Sequence, residues 1–93
     1  MYTTHIPTNL ARALGDKEMP CDYDFCTYAE VFDWLPSSGI IIALNPAWNT
    51  EGCIKGWVFK VYRVGRPPYP YTGFYEIWEE AANNAIRKAL ELI

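Results

Sequence analysis

Apolar residues recur with helical spacing in some stretches of the chain and alternate with polar residues in others, which predicts both helices and strands. The first helix is predicted in "TNLARALG", where Thr8 stands at the N-cap and Gly15 ends the helix. The apolar residues at helical spacing are Leu10, Ala11, Ala13 and Leu14. Apolar and acidic residues alternate in "PCDYDFC", which follows, and this predicts a very short, half-exposed strand.

A second helix is predicted in "TYAEVFDWLP". Thr27 and Glu30 have the spacing of a capping box, in which each side chain accepts a hydrogen bond from the backbone N–H of the other residue. Pro36 ends the helix, because proline disfavours the helical conformation of the residue before it. The apolar face of this helix consists of Tyr28, Val31, Phe32 and Leu35.

Two strands are predicted in the middle of the chain. The run "IIIAL" is β-branched and apolar on both faces, which is typical of a central strand. In "KGWVFKVYRV", alternate residues point to opposite faces of the sheet. The predicted core face carries Trp57, Phe59 and Val61, and the other face carries Val58, Lys60, Tyr62 and Val64.

A proline-rich loop follows the second of these strands. The segment "RPPYPY", residues 66–71, contains three prolines, which cannot donate backbone hydrogen bonds to a neighbouring strand and which favour an extended conformation. We expect a stiff surface loop that leads to a last strand at about Gly73 to Tyr75. The PxxP spacing from Pro67 to Pro70 also fits docking in an aromatic groove, but a rigid loop is the favoured interpretation.

The chain ends in a long amphipathic helix. Three glutamates crowd its start and Arg87 and Lys88 lie towards its end, and both arrangements are favourable to the helix dipole. Ile77 stands where a serine or threonine cap is expected. The apolar stripe of the helix consists of Trp78, Ala81, Ala82, Ala85, Ile86, Ala89, Leu92 and Ile93.

Together these elements predict an α+β domain of two layers. A three-stranded antiparallel sheet is expected to carry the Thr27 helix and the C-terminal helix on one face, in the order α-β-β-β-α. Ninety-three residues make a single domain, 1–93, because a chain of this length buries only about two-thirds of its unfolded surface. We divide it into an N-terminal extension, 1–26, which contains the short first helix, and a core, 27–93.

From Thr27 onwards, this order resembles the topology of the double-stranded-RNA-binding domain. The resemblance rests on the order, on the aromatic strand "GWVFKVY" and on the ending "EEAANNAIRKALELI", and it implies the two-layer fold. In that family a lysine cluster at the start of the last helix grips phosphate. Glu76, Glu79 and Glu80 occupy that place here and would repel phosphate. We therefore expect the fold without binding of double-stranded nucleic acid.

The whole chain also resembles small uncharacterised proteins of gut-bacterial prophages and mobile elements. The segments that carry this resemblance are "LARALG", "VFDW", "GWVFKVY", "FYEIWEEA" and "KALELI". No activity is assigned to proteins of this kind. The resemblance therefore implies the fold and a phage-related setting, and no chemistry.

Composition and charge narrow the range of functions. A net charge of −3 and a pI near 5.0 disfavour a general polyanion binder, because non-specific nucleic-acid affinity comes from many Lys and Arg contacts to phosphate.

No apolar stretch approaches the roughly 20 residues that span a bilayer. The N-terminus "MYTTHIPTNL" lacks the pattern of a signal peptide. We expect a cytoplasmic protein without membrane association.

No residue pattern predicts catalysis, a cofactor or a metal site. His5 has no partner pattern for acid–base chemistry. Asp22 and Asp24 lack a third carboxylate or a histidine at a suitable spacing. Three cysteines would need a fourth ligand to hold zinc, and they form no CxxC motif: Cys21, Cys26 and Cys53. We interpret the cysteines as reduced thiols that mostly pack in the core, and the chain as a non-enzyme.

The distribution of charge points to one hairpin. Residues 1–54 carry seven acidic and two basic residues, whereas residues 55–74 carry four basic residues and no acidic one. Basic side chains interleaved with aromatic rings can dock on an acidic protein surface or stack on single-stranded bases. The predicted interaction surface consists of Lys55, Lys60, Tyr62, Arg63, Arg66, Tyr69 and Tyr71.

We interpret the chain as a non-enzymatic interaction module, related to phages or mobile elements, that acts through protein–protein contacts with a partner the sequence does not identify. The alternative is binding of single-stranded nucleic acid through the basic aromatic hairpin, 55–71. A two-layer domain leaves one sheet face open, and here that face carries Val58, Tyr62, Val64 and one side of "IIIAL". We expect either a homodimer through this face or an N-terminal segment that folds back over it.

Overall fold

The computed structural model describes residues 5–20, 26–65 and 71–92, with only the backbone of Tyr71. It confirms the predicted fold class, an α+β fold with a three-stranded antiparallel sheet. The predicted short strand in "PCDYDFC" and the loop prolines fall largely or wholly outside the described residues. The elements are α1 (Thr8–Asp16), α2 (Tyr28–Trp34), a 3-10 turn (Leu35–Ser38), β1 (Ile40–Trp48), β2 (Ile54–Arg63), β3 (Tyr71–Tyr75) and α3 (Trp78–Leu92).

The strands lie in the order β1-β2-β3, with β2 in the centre. The prediction that "IIIAL" forms a central strand is therefore wrong, because this segment belongs to the edge strand β1. Apolar side chains on both faces of a strand do not determine which strands lie beside it. The register pairs Ile42 with Val61 and Leu44 with Phe59 on one side of β2, and Phe59 with Gly73 on the other side.

All three helices belong to the layer on one face of the sheet. Helix α3 contacts all three strands, α1 packs against α3, and the 3-10 turn packs against β1. Residues 5–20 contribute Ile6, Leu10, Leu14 and Met19 to the same buried cluster as the sheet and α3. The remaining members of this cluster are Ala11, Cys26, Tyr28, Val31, Leu35, Ile40, Phe59, Val61, Ala82, Ala85, Ile86 and Ala89.

The helix ends predicted from neighbouring residues agree with the structure at the start of α2 and differ from it at α1. The Thr27 hydroxyl accepts a hydrogen bond from the Glu30 N–H at 3.2 Å, so this half of the capping box is formed as predicted. The Glu30 carboxylate accepts from the Thr27 hydroxyl, also at 3.2 Å, and not from the Thr27 backbone N–H as expected. At α1, however, the N-cap position is held by Pro7, without a side-chain hydrogen bond, and the helix runs past Gly15. Glu18, with a φ of 69°, then reverses the chain in a left-handed conformation that residues with a side chain rarely adopt.

The two tryptophans predicted for the core differ in their packing. Trp78 is half-buried and packs against the buried cluster, with its ring centroid 6.2 Å from that of Phe32. Trp57 is also half-buried but lies near the end of the sheet, opposite Tyr75, and is not among the described side chains packed on the cluster. The predicted burial of Trp57 with Phe59 and Trp78 is therefore only partly correct, because the strand face extends beyond the region that the helices cover.

Tyr28 joins α2 to α3. Its hydroxyl donates to Asn83 Oδ1 at 2.7 Å, and its ring meets Trp78 edge-on with the centroids 5.1 Å apart. Burial raises the pKa of Tyr28 above its usual 10.0, and the negative charge of Glu79 raises it further. The hydrogen bond to Asn83 and the positive charge of Arg87 act in the opposite direction without reversing the shift.

Candidate functional site

The face of the sheet opposite the helices is the largest surface on which the predicted interaction residues meet. Side chains alternate along each strand, so the register assigns every second residue to this face. No described helix packs on it, since the helices contact the other face. We call this surface the open face; its residues are Ile41, Ala43, Asn45, Ala47, Lys55, Gly56, Val58, Lys60, Tyr62, Thr72 and Phe74.

Large apolar side chains remain in contact with solvent on the open face. Ile41 is 46% exposed and Phe74 is 47% exposed, whereas Val58 and Tyr62 are half-buried by their neighbours on adjacent strands. Ile41 and Tyr62 are direct cross-strand partners, so they form one continuous surface across β1 and β2. Exposed apolar side chains that adjoin one another across a sheet are typical of an interaction surface.

Phe74 is held in place by a glycine on the neighbouring strand. Its ring lies over Gly56, because a Cβ atom at Gly56 would stand 2.5 Å from two of the ring carbons. The ring covers Gly56, which is buried although it belongs to the open face. Gly56 thus provides the space in which an aromatic ring lies flat against the sheet.

A β-bulge brings a positive charge to the same ring. Ala47 pairs with Gly56 and Trp48 pairs with Ile54, so Lys55 is an extra residue on β2. Because a bulge breaks the alternation of side chains, Lys55 reaches the open face, where its Nζ lies 5.8 Å from the centre of the Phe74 ring. This distance is within the range of a cation–π interaction.

The open face is positively charged relative to the helical layer. Lys55 and Lys60 belong to it, and none of the acidic residues in the described ranges does. The described carboxylates lie instead on the helices, at their ends or in the turn between β1 and β2: Asp16, Glu18, Glu30, Asp33, Glu51, Glu76, Glu79, Glu80 and Glu91. The two sides of the domain therefore differ in the sign of their charge.

The structure brings together only some of the predicted interaction residues. Lys55, Lys60 and Tyr62 share the open face, whereas Arg63 pairs with Ile40 and belongs by alternation to the opposite face. Arg66 and Tyr69 lie outside the described residues, and Tyr71 is described only as a strand residue paired with Val61.

Sequence reasoning placed one side of "IIIAL" on the open face without saying which side, and the register shows that this side carries Ile41. It missed Phe74, which completes the open face. For Phe74 a signal did exist: a glycine inside a strand pattern, here Gly56, marks a bulge or a close approach of another group, and both occur at this position.

The other candidate residues that the structure describes do not gather into a site. His5 is exposed, and its backbone forms an isolated antiparallel bridge with Thr27. Cys26 is buried and Cys53 is exposed, while Cys21, Asp22 and Asp24 lie outside the described residues. Within the described ranges, no group of three or more His, Cys, Asp and Glu side chains is arranged to hold a metal ion.

Comparison with known proteins adds no relative. No protein-family model, curated protein or solved structure matches this chain. The resemblances to double-stranded-RNA-binding domains and to phage-related proteins therefore stay predictions. Among the helices of the described residues, none combines the length and apolar character required to cross a membrane.

Proposed function

We propose that this protein is a non-enzymatic interaction module that binds a protein partner through the open face. The observation that carries the proposal is the combination of exposed Ile41 and Phe74 with Lys55 and Lys60 on a sheet face that no described helix covers. Apolar area supplies the affinity in such an interface, and charge selects the partner. The complementary surface is therefore apolar at its centre and acidic at its rim.

Charge argues for a different protein at this face rather than a second copy. In a twofold dimer the same patch lies on both sides of the interface. Lys55 and Lys60 of the two copies would then approach one another, and the described part of the open face supplies no carboxylate to separate them. A homodimer through this face stays a prediction. An experiment must first distinguish this homodimer from a complex with a different protein.

The N-terminal fold-back is the other way to cover the face, and the described residues give it no support. Helix α1 packs against α3, on the far side of the sheet. Leu10, Ala11 and Leu14 of α1 are fully enclosed there. Residues 5–20 of the N-terminal extension thus pack in the helical layer and not on the open face.

Single-stranded nucleic acid is the second candidate ligand. Phe74 and Tyr62 present aromatic rings on the same face as Lys55 and Lys60, and exposed rings beside cations are the usual platform for unstacked bases. Only these two described lysines belong to the face, however, and the chain carries a net charge of −3. Few phosphate contacts mean weak binding with a shallow dependence on salt, so this function ranks below protein binding.

The proposal is tested with matched charge substitutions. We expect a partner isolated from the native host to bind the purified chain directly, and this binding to be lost in both Ile41→Glu and Lys60→Glu. Ile77→Glu is the control, because Ile77 is also an exposed isoleucine but lies off the open face, between β3 and α3. Equal binding by all three variants would contradict the proposal.

Two further measurements test whether a second copy of the chain or single-stranded nucleic acid occupies the open face instead of a protein partner. A mass twice that of the monomer in light scattering, reduced by Ile41→Glu and unchanged by Ile77→Glu, would replace the proposed partner with a second copy. Fluorescence anisotropy with labelled single-stranded oligonucleotides at low salt tests the other rival. Binding there that is lost in Phe74→Ala and retained in Ile77→Glu would favour nucleic acid.

A further inference from the structure

A second candidate site lies at the outer edge of β3, where the strand faces the C-terminal half of α3. A cleft of about 450 Å³ runs between Thr72 and Tyr75 on the strand side and a stripe of α3 from Asn84 to Glu91. This volume falls within the range typical of ligand clefts. The cleft shares Thr72 with the open face, but none of Ile41, Lys60 and Phe74 lines it.

Two stacked aromatic rings form the floor of the cleft. Phe59 and Tyr75 both line it, and their ring centroids are 6.1 Å apart with an angle of 15° between the planes. The Phe59 ring lies against Gly73 of β3, since a Cβ atom at Gly73 would collide with it. The absence of a side chain at Gly73 therefore lets the ring of Phe59 reach the edge strand and contribute an apolar surface there.

The backbone of β3 provides directional hydrogen bonds beside this floor. β3 pairs with β2 on one side, and no strand within the described residues pairs with its other side. A strand edge presents a row of N–H and C=O groups that an extended chain can satisfy by adding a strand. The cleft thus adjoins a strand edge that no described strand pairs with.

The helical wall supplies one cation without a carboxylate partner. Lys88 forms a salt bridge with Glu91 at 3.0 Å, so the charge of that lysine is largely balanced. Arg87 is exposed, forms no salt bridge with the described residues, and donates a long hydrogen bond of 3.4 Å to Asn84 Oδ1. A guanidinium group in this setting is suited to a bidentate contact with a carboxylate.

We propose that this cleft binds an extended acidic peptide, which adds to the outer edge of β3 as a fourth strand. A carboxylate of the peptide contacts Arg87, and an apolar side chain of the same peptide lies on Tyr75, whose ring is supported by the buried ring of Phe59. A polyanion is a poor ligand for this site because a single unbalanced cation gives little counterion release. The strand edge also offers its hydrogen bonds only to a peptide backbone.

Selection from a displayed library of short random peptides supplies the probe. We expect the enriched peptides to contain an Asp or Glu near an apolar residue. Arg87→Glu should weaken binding of a synthetic copy of such a peptide at least about tenfold, the usual effect of losing a charge-assisted hydrogen bond. Exchanging the peptide carboxylate for lysine should restore binding to Arg87→Glu.

A matched charge reversal on another helix controls for overall electrostatics. Arg12 is likewise an exposed arginine, on α1, and Arg12→Glu should bind the peptide as the unmodified chain does. Enrichment of no acidic peptide would overturn the proposal. Equal weakening by Arg12→Glu and Arg87→Glu would also overturn it.

Hydrogen exchange tests the added strand itself. We expect the bound peptide to slow exchange of backbone amides of β3 (Tyr71–Tyr75) and to leave those of β1 (Ile40–Trp48) unchanged. Proline introduced into the centre of the peptide should abolish binding, since proline cannot donate to a strand ladder. A peptide that binds without protecting β3, or that tolerates the proline, would show that no strand is added.

Discussion

Each face of the sheet contains a phenylalanine ring laid over a glycine of the neighbouring strand, and the two rings differ in how far they are exposed. Phe59 covers Gly73 on the helical side and is 6% exposed, whereas Phe74 covers Gly56 on the open face and is 47% exposed. The first ring is enclosed by the helical layer. The same local arrangement therefore supports the core on one face and an accessible aromatic surface on the other.

The largest expected effect is at the enclosed ring. Phe59→Ala should lower the free energy of unfolding by about 3–5 kcal/mol, because it removes a buried aromatic side chain and leaves a cavity beneath α3. Urea titration measures the change. Phe59→Leu is the conservative control and should cost less than about 1.5 kcal/mol. Nearly full stability of Phe59→Ala would show that the helices do not enclose this ring.

A smaller effect is expected at the exposed ring. Phe74→Ala should lower the free energy of unfolding by only about 1 kcal/mol, since the ring is half in solvent and its contact with Lys55 is a surface cation–π interaction. Partner binding through the open face should nevertheless be lost. A destabilisation equal to that of Phe59→Ala would remove the distinction between the two faces and would indicate that something covers Phe74.

The smallest effect concerns a polar contact within the helical layer. Tyr28→Phe removes the hydrogen bond to Asn83 and should cost roughly 0.5–1.5 kcal/mol at neutral pH. Tyr28 carries a raised pKa in the folded chain, so the folded state holds its proton more firmly than the unfolded state does. Stability should therefore fall as the pH rises above the usual tyrosine pKa of 10.0.

Unfolding followed by urea at several alkaline pH values tests the sign of this dependence. The loss of stability above the usual tyrosine pKa should be shallower in Tyr28→Phe than in the unmodified chain. Tyr62→Phe is the control, because Tyr62 lies on the open face and is not in the buried cluster. An equally steep loss in the unmodified chain and in both variants would contradict the assignment to Tyr28.

Features encoded by neighbouring residues could be predicted from the sequence. The N-cap at Thr27, the end of α2 before Pro36 and the alternation of β2 each depend on residues within a few positions, and the structure shows all three. Leu35 nevertheless keeps a helical conformation and the chain continues through Pro36 as a 3-10 turn, so the α-helix does not end for the reason that was expected. The fold class follows from the order of such elements. These features therefore required no knowledge of contacts between distant parts of the chain.

Features that depend on pairing between strands could not be predicted in the same way. The edge position of β1 follows from which strand lies beside it, and the hydrophobic pattern of "IIIAL" is the same in the centre and at the edge. The role of Phe74 depends on Gly56 of β2, and the position of Lys55 depends on a bulge in the register. The cleft beside Arg87 exists only once α3 lies along β3.

The edge position of β1 also affects how the protein aggregates in concentrated samples. Within the described residues its outer edge is unpaired, and its run "IIIAL" combines high β propensity with no charge. Pro46, which has no backbone N–H, interrupts this edge only near its end. Identical strands of neighbouring molecules can pair along this edge. We therefore expect aggregation seeded by residues 40–44, rather than simple reversible unfolding, to limit the lifetime of concentrated samples.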